Sequence, residues 1–292
     1  MNRGRRNRSV HNALAALALA LAVLPALPAP SRAQEAAASG IKAAPLSIGE
    51  TFTIRSRVLG ETRRINVYLP YTYADSSHPS LPVLYMPDGG IAEDFLHVAG
   101  LVQVSVGNGT IRPFILVGIE NTARRRDLTG PTTRADDRKI APVVGGSATF
   151  RRFIRAELMP AVKARYRTTG ETAIVGESLA GLFVVETYLL EPMLFDTYIA
   201  FDPSLWWNGG ALVDGAGARL EAAAGRPLYL ASSSQEQILA ETRRLADTLA
   251  ARAPAATRWH FEPMPGETHA TIYHPAALRA FRQLFAPAAA GK

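Results

Sequence analysis

The architecture of the chain follows from residues 172–185, which read TAIVGESLAGLFVV. An apolar run typical of a buried strand ends at Val175, and a helical apolar run begins a few residues later. Between the two runs, Ser178 stands among small residues. This pattern predicts a nucleophile elbow, a tight turn that lifts a serine hydroxyl clear of a sheet and places it at the N-terminus of a helix. The fifth position of the pattern is commonly glycine; here it is Ala180, and the glycine follows one step later as Gly181.

Eight runs of residues predict strands, at 51–58, 64–69, 81–86, 114–119, 172–175, 197–201, 227–231 and 258–262. The first two alternate apolar and polar residues, whereas the later runs are continuously apolar, as in strands covered on both faces. Apolar residues at helical spacing lie between them, at 150–162, 238–249 and 276–285, with Ser147 as an expected N-cap of the first. We therefore predict an α/β fold: a doubly wound, mostly parallel sheet of about eight strands with helices on both faces and little or no cap domain.

The first 33 residues have the composition of a secretory signal. Arginines precede an apolar run at 13–27, and Ser31-Arg32-Ala33 follows, which predicts cleavage after Ala33. The run is shorter than the roughly 20 residues of a membrane span, although an uncleaved anchor stays as an alternative. We expect a signal peptide at 1–33, a flexible lead-in at 34–46, one α/β domain at 47–286 and a tail at 287–292. The expected location is periplasmic or secreted, without stable membrane insertion after cleavage, and the export route (Sec or twin-arginine) stays open.

Charge and cysteine content exclude several classes of protein. The net charge is +7, but the predicted signal holds five arginines and no acids, so the mature chain carries only +2. A nucleic-acid binder would carry a basic patch, so no nucleic-acid partner is expected. The chain has no cysteine, which excludes disulfides, thiolate metal sites, a cysteine nucleophile and a lipidated cysteine.

A serine nucleophile needs a base, which is usually a histidine held in place by an acid. In sheets with this elbow the chain order is serine, acid, histidine. That order excludes three of the six histidines, because they lie in the signal or before Ser178: His11, His78 and His97. His260 falls within the last predicted strand. We therefore predict His269, in the loop that follows this strand, as the base, and His274 at the start of the terminal helix stays as the alternative.

The acid is less well determined by the sequence. The loop after the strand at 227–231 reads Ser232-Ser233-Ser234-Gln235-Glu236, and its first carboxylate, Glu236, is the predicted acid. Asp202, at the end of the preceding strand, is the alternative, and a dyad without an acid is a third option. An oxyanion hole needs two N–H donors. We predict that Leu179 supplies one and that Gly89 or Gly90, after the third strand, supplies the other.

Six further motifs occur in one order along the chain. They are Tyr85-Met86-Pro87-Asp88-Gly89, Arg126-Asp127-Leu128-Thr129, Gly145-Gly146-Ser147, the helix at 153–166, Asp202-Pro203-Ser204-Leu205-Trp206-Trp207 and Gly266-Glu267-Thr268-His269. Together with the elbow, over about residues 50–286, they resemble the Putative esterase family of the α/β-hydrolase superfamily. The closest resemblance is to its enterochelin-esterase-like branch, which hydrolyses siderophore trilactones. The resemblance implies that Ser178 is the nucleophile, His269 the base and Glu236 the acid.

The expected function is an exported serine hydrolase that cleaves carboxylic esters through an acyl-enzyme, with a siderophore trilactone as a candidate among small-molecule ester substrates. Arg126, in the run 124–126, is a candidate to hold an anionic substrate, and Trp206 and Trp207 are candidates to stack on aromatic groups. No metal or organic cofactor is expected, and the oligomeric state is left open. The alternatives are a carbohydrate acyl esterase or an acyltransferase on the same scaffold, or a catalytically dead ligand-binding protein.

Overall fold

The computed structural model describes residues 42–74 and 80–287 of the 292-residue chain. The chain divides into two units, Met1–Leu46 and Ser47–Lys292. Residues 42–46 of the first unit are exposed and have no helix or strand, and every element below belongs to the second unit. The predicted signal, residues 34–41 of the lead-in and residues 288–292 of the tail lie outside the described residues. The predicted domain limits therefore stay predictions.

Eight strands form one sheet. They are β1 (Glu50–Arg55), β2 (Thr62–Tyr68), β3 (Leu81–Pro87), β4 (Ile115–Ile119), β5 (Thr168–Glu177), β6 (Thr197–Phe201), β7 (Leu228–Ser232) and β8 (Trp259–Pro263). Their order across the sheet is β1-β2-β4-β3-β5-β6-β7-β8. The pairs β1–β2 and β2–β4 are antiparallel, and all the others are parallel. All eight predicted strands and the mostly parallel α/β fold are confirmed.

Nine α-helical segments connect or follow these strands. They are α1 (Phe95–Gly107), α2 (Arg124–Asp127), α3 (Ala135–Ile140), α4 (Ser147–Phe153), α5 (Met159–Arg165), α6 (Leu179–Leu190), α7 (Ala211–Asp214), α8 (Glu236–Arg252) and α9 (Tyr273–Leu284), counted in the described part of the chain. A π-helical turn, Ile154–Leu158, joins α4 to α5. The segment between β6 and β7 holds only α7 and three 3-10 turns, so it builds no cap domain. Within residues 42–74 and 80–287, no helix is both long and apolar enough to span a membrane.

The central strands are apolar throughout because both of their faces are covered. Along β6, Tyr198 and Ala200 pack into the core layer with α4, α5, α6 and α8. Ile199 and Phe201 pack on the opposite face, with α1 and α9. Side chains of a strand point alternately to the two faces, so a strand between two helical layers needs apolar residues at every position. The edge strand β1 alternates exposed and half-buried residues instead.

Ser147 does not cap its helix as predicted. Gly146 stands at the N-cap position, and Ser147 is the first helical residue. Its hydroxyl donates instead to the buried Glu186 carboxylate of α6 at 2.8 Å. Arg151 of α4 lies 3.2 Å from the same carboxylate. The Gly-Gly-Ser motif thus joins the start of α4 to α6, the helix that follows the elbow.

Candidate active site

Ser178 occupies a strained turn between β5 and α6. Its backbone has φ 60° and ψ −122°, a region that non-glycine residues rarely adopt. The turn is closed by two tight approaches. A Cβ on Gly176 would lie 2.7 Å from the Cβ of Ala180, and a Cβ on Gly181 would lie 2.9 Å from the carbonyl oxygen of Phe201. Glycine is therefore required at 176 and 181, whereas Ala180 fits, fully buried.

The sheet register brings three strand ends side by side. Glu177, the last residue of β5, pairs with Phe201 of β6, and Phe201 pairs with Ala231 of β7. Ser178 and Asp202 are the next residues along their strands, so they are neighbours at the carboxyl edge of the sheet. This is the edge at which doubly wound sheets bind their ligands.

His269 bridges the two neighbours. Its Nε2 atom lies 3.1 Å from the Ser178 hydroxyl, and its Nδ1 atom lies 3.0 Å from Oδ2 of Asp202. The loop that carries His269 is fixed to the end of β7, because Ser234 N–H and hydroxyl both donate to the carbonyl of Glu267. The imidazole is about one third exposed, so it is open to solvent on one side. A serine, a histidine and an aspartate thus form one hydrogen-bonded chain.

Asp202 is fully buried and held by several donors. The backbone N–H of Ser233 donates to Oδ1 at 2.6 Å, its hydroxyl donates to Oδ2 at 2.6 Å, and the hydroxyl of Ser232 donates to Oδ1 at 3.2 Å. Burial opposes ionisation, but the hydrogen bonds from His269 and Ser233 outweigh it and lower the pKa of Asp202. The carboxylate is therefore ionised at neutral pH and fixed in orientation.

The pKa of His269 is raised, first by its hydrogen bond to Asp202, with burial opposing the shift. When Glu177 is ionised, its charge raises the pKa of His269 further. A histidine paired in this way is a stronger base towards the serine proton, and its imidazolium is stabilised once that proton has moved.

The structure does not bring Glu236, the predicted acid, to His269. Glu236 is the first residue of α8 and is exposed. In the described part of the chain it makes no hydrogen bond or ion pair with His269, whereas Asp202, the alternative, does. The reason is that the β7 loop supplies donors rather than an acid: its serines hold Asp202. His274 lies in α9, 5.6 Å between ring centroids from His97, and makes no described contact with Ser178.

Glu177 is a site residue that the sequence patterns did not identify. Its Oε1 atom lies 3.2 Å from Nδ1 of His269, the same nitrogen that contacts Asp202. Burial raises the pKa of Glu177 to about 8, and the charge of Asp202 adds to the rise. Its position in the sequence could have indicated it, because Glu177 is the last residue of β5 and directly precedes Ser178.

The backbone N–H groups predicted to form the oxyanion hole differ in whether they already donate a hydrogen bond. Leu179 opens α6, and its N–H has no acceptor among the described contacts, as is normal in the first turn of a helix. The N–H of Gly89 is already used, because it donates to the carbonyl of Ile119 at 3.0 Å. Gly90 N–H donates to the side chain of Glu93 at 2.6 Å, a partner that can rotate away. The backbone geometry thus disfavours Gly89 and leaves Gly90 as the second candidate.

The predicted substrate-binding residues are mostly occupied by structural contacts. Arg126 pairs with Glu61 at 2.8 Å and with the buried Asp127 at 2.7 Å, so it joins a network at the edge of β2. Trp207 is buried, and its indole N–H donates to the carbonyl of Gly130 at 2.9 Å. Of the three predicted residues, Trp206 is half-buried and packs against the core. The polar groups of Arg126 and Trp207 are therefore already paired within the protein and not directed at a substrate.

A cleft of about 500 Å³ is lined by residues 123–126, three of which are arginines, and by residues 141–143. Arg124 forms a bidentate pair with Asp88, with both contacts at 2.7 Å. Asp88 has φ 57° and directly precedes the Gly89-Gly90 turn. The pair therefore fixes the loop from which the second oxyanion donor is expected.

One group of three side chains among the described residues brings metal-ligand atoms within 4.8 Å of one another: Glu177, Asp202 and His269. A cation there would have to replace the hydrogen bond between His269 and Asp202. These atoms are thus already used within the hydrogen-bonded chain. The expectation that no metal or cofactor is needed stays a prediction.

Comparison with known proteins identifies the family of this chain. The family described as Putative esterase matches residues 56–269. Ferri-bacillibactin esterase BesA of Bacillus subtilis is 28% identical over 251 residues, which are 76% of this chain and 85% of that protein. Siderophore triacetylfusarinine C esterase of Aspergillus fumigatus is 33% identical over 190 residues, 61% of this chain and 63% of that protein.

Among solved structures, an IroE-like serine hydrolase from Shewanella oneidensis has a TM-score of 0.74 and 28% identity, with 81% of this chain and 80% of that chain covered. The family match extends over most of the chain and includes the elbow, Asp202 and His269. The chain therefore belongs to the Putative esterase family, in its enterochelin-esterase-like branch.

Proposed function

We propose that the chain is an exported serine hydrolase that cleaves carboxylic ester bonds in siderophores. One observation carries the catalytic part: Ser178, His269 and Asp202 form a hydrogen-bonded chain, with distances of 3.1 and 3.0 Å, at a strained turn in front of a helix. This is the arrangement that acyl transfer by an activated serine requires.

The mechanism follows from these contacts. The Ser178 hydroxyl attacks the ester carbonyl while His269 Nε2 takes its proton, and Asp202 keeps the remaining ring proton on Nδ1. The Leu179 N–H stabilises the oxyanion, and Gly90 is the second donor once Glu93 releases it. His269 then protonates the leaving alkoxide, and water attacks the acyl-enzyme by the same route.

The siderophore part rests on the relatives, of which one is named a ferri-bacillibactin esterase and another a siderophore triacetylfusarinine C esterase. A siderophore lactone is bulky, and the segment between β6 and β7 leaves the carboxyl edge of the sheet without a cap domain. A carbohydrate acyl esterase would use the same serine chemistry, so substrate comparison has to decide between them. Export rests on the arginine-rich, apolar N-terminal segment and would yield a mature chain that begins at Gln34.

The catalytic proposal is tested with Ser178→Ala and a fluorophosphonate probe. We expect wild-type protein to form one adduct, on Ser178, and Ser178→Ala to lose ester turnover by at least about 10⁴-fold. An unlabelled but folded wild-type protein would favour a ligand-binding role. Ferric and iron-free catecholate trilactones, compared with p-nitrophenyl and feruloyl esters, then test the substrate class, and a higher kcat/KM for a feruloyl ester would contradict the siderophore proposal.

A further inference from the structure

Two carboxyl groups face the same nitrogen of His269. Asp202 Oδ2 lies 3.0 Å from Nδ1, and Glu177 Oε1 lies 3.2 Å from it. Only the contact with Asp202 has hydrogen-bond geometry, so the Nδ1 hydrogen is directed at Asp202. A serine hydrolase needs one carboxylate at this position, so the second one requires an explanation.

The two carboxyl groups differ in the number of hydrogen bonds that they accept. Asp202 accepts hydrogen bonds from Ser232, Ser233 and His269. By contrast, Oε1 of Glu177 is buried and has no hydrogen-bond partner in the described residues. Burying a polar atom without a partner destabilises the folded state, so such an atom beside a catalytic base is a candidate for a functional role.

We propose that Glu177 is a positioning residue, an inference that rests on the proposed serine mechanism. Its carboxyl is a second acceptor for the Nδ1–H of His269. When the contact between His269 and Asp202 is weakened, Glu177 accepts this hydrogen bond and keeps the imidazole directed at Ser178. Only a small rotation of the ring or of the glutamate is needed, since the two atoms are already within contact distance. The ring proton stays on Nδ1 throughout, and only its acceptor changes.

The two carboxyl groups differ in their charge at neutral pH. The groups that face Glu177 are His269, Asp202, Asp94 before α1 and Arg124 of α2. Tyr273 of α9 is also near, with a buried hydroxyl that lacks a described partner. Burial first, and then the charges of Asp202 and Asp94, raise the pKa of Glu177 to about 8. At neutral pH Glu177 is therefore mostly neutral while Asp202 is charged, which avoids two adjacent negative charges.

Loss of the Asp202 charge reverses this balance. Asp202→Asn removes a negative neighbour, so the pKa of Glu177 falls and its carboxyl ionises more readily than in the wild type. The amide that this substitution introduces would donate to Nδ1 and favour the wrong tautomer, as in other serine hydrolases. An ionised Glu177 competes with that amide by accepting the Nδ1–H. Ester turnover should therefore depend more strongly on Glu177 in Asp202→Asn than in the wild type.

The test is a double-mutant cycle with Glu177→Gln and Asp202→Asn, measured as kcat/KM for a p-nitrophenyl ester. We expect Glu177→Gln alone to lose less than about 10-fold, and to lose at least about 10-fold more in the Asp202→Asn background. Glu221→Gln, at an exposed glutamate, is the matched control in both backgrounds. Equal losses in the two backgrounds would show a merely structural role and overturn the proposal, as would a double variant no slower than Asp202→Asn.

A second measurement does not depend on ester turnover. Nitrogen-15 NMR of the ring, assigned with His269→Asn, reports which nitrogen carries the proton. We expect Asp202→Asn to keep a population protonated at Nδ1, and the double variant to lose it. Identical ring spectra of the two would overturn the positioning role even if no ester is cleaved. Conversely, a wild type without turnover but with the expected spectra would refute the proposed function and leave the positioning role standing.

Discussion

Asp202 owes its position to a backbone conformation as much as to its sequence neighbours. Its φ of 41° turns the chain immediately after β6 and keeps the side chain at the sheet edge. The same residue is held by a backbone hydrogen bond to the end of β7, because Asp202 N–H donates to the carbonyl of Ala231 at 2.9 Å. The Asp202 carboxylate is therefore fixed by two strands, and His269 contacts a group that cannot rotate freely.

Substitution of the two candidate acids separates their roles. We expect Asp202→Asn to lower kcat by about 10²- to 10⁴-fold with little change in KM, because the imidazole loses its charged partner and part of its population in the correct tautomer. Glu236→Gln should stay within about twofold of wild type, because Glu236 is exposed and does not contact His269. Steady-state kinetics on one ester suffice, and the reverse pattern would restore Glu236 as the acid.

The pH dependence of turnover follows from the pKa of His269. The base has to be neutral in the free enzyme, and its hydrogen bond to Asp202 raises its pKa above the usual value of about 6.5. We therefore expect kcat/KM to rise with pH and to reach half its plateau above pH 6.5. A profile measured from pH 5 to 9 checks this, and a midpoint at or below pH 6.5 would contradict the raised pKa.

At the scale of secondary structure, much of the site was predictable because parallel strands end together. The apolar run at 172–175 identified the elbow, and the apolar runs on either side of Asp202 identified β6 and β7. The acid was harder to predict, because sequence does not say which of two neighbouring strand ends faces the histidine loop. Glu177 was missed for a related reason: its neighbours come from distant segments, with Asp94 before α1, Arg124 in α2 and Tyr273 in α9, and the local sequence does not encode this proximity.

Arg126 shows that a cationic run near the sheet edge can be structural. Arg63 of β2 is fully buried and pairs with Asp127, and Arg126 pairs with the same aspartate and with Glu61. We expect Arg126→Ala to lower the free energy of unfolding by about 1–2 kcal/mol and to change KM by less than about threefold. Thermal unfolding and ester kinetics measure the two effects. A tenfold rise in KM without loss of stability would return Arg126 to the substrate site.

At the scale of the whole molecule, two groups of side chains have opposite effects on how the free energy of unfolding changes with pH. Hydrogen bonds outweigh burial and lower the pKa of Asp202, Glu157, Glu191 and Glu262, so their stabilisation is present near neutrality and is lost as pH falls through their folded pKa values. Most of these are partly exposed, so each contributes little. Glu177 acts in the opposite direction, because its pKa is raised.

Glu177 therefore predicts a loss of stability on the alkaline side. Its pKa moves from the usual 4.5 to about 8 on folding, so the folded state binds a proton that the unfolded state has released between these values. The stabilisation that comes with this proton is complete below pH 4.5 and is lost as pH rises through 8. His269 adds in the same direction above about pH 6.5, because its pKa is also raised. Glu177→Gln keeps the neutral shape but cannot ionise.

We therefore expect the free energy of unfolding of Glu177→Gln, relative to wild type, to increase between pH 5 and pH 9 by on the order of a few kcal/mol. Urea unfolding of both proteins across this range measures the difference, with Glu221→Gln, at an exposed glutamate, as the control. A difference that is flat with pH would mean that Glu177 is already ionised near pH 5. In that case His269 would lie between two charged carboxylates at neutral pH, and its own midpoint would move further upward than Asp202 alone can cause.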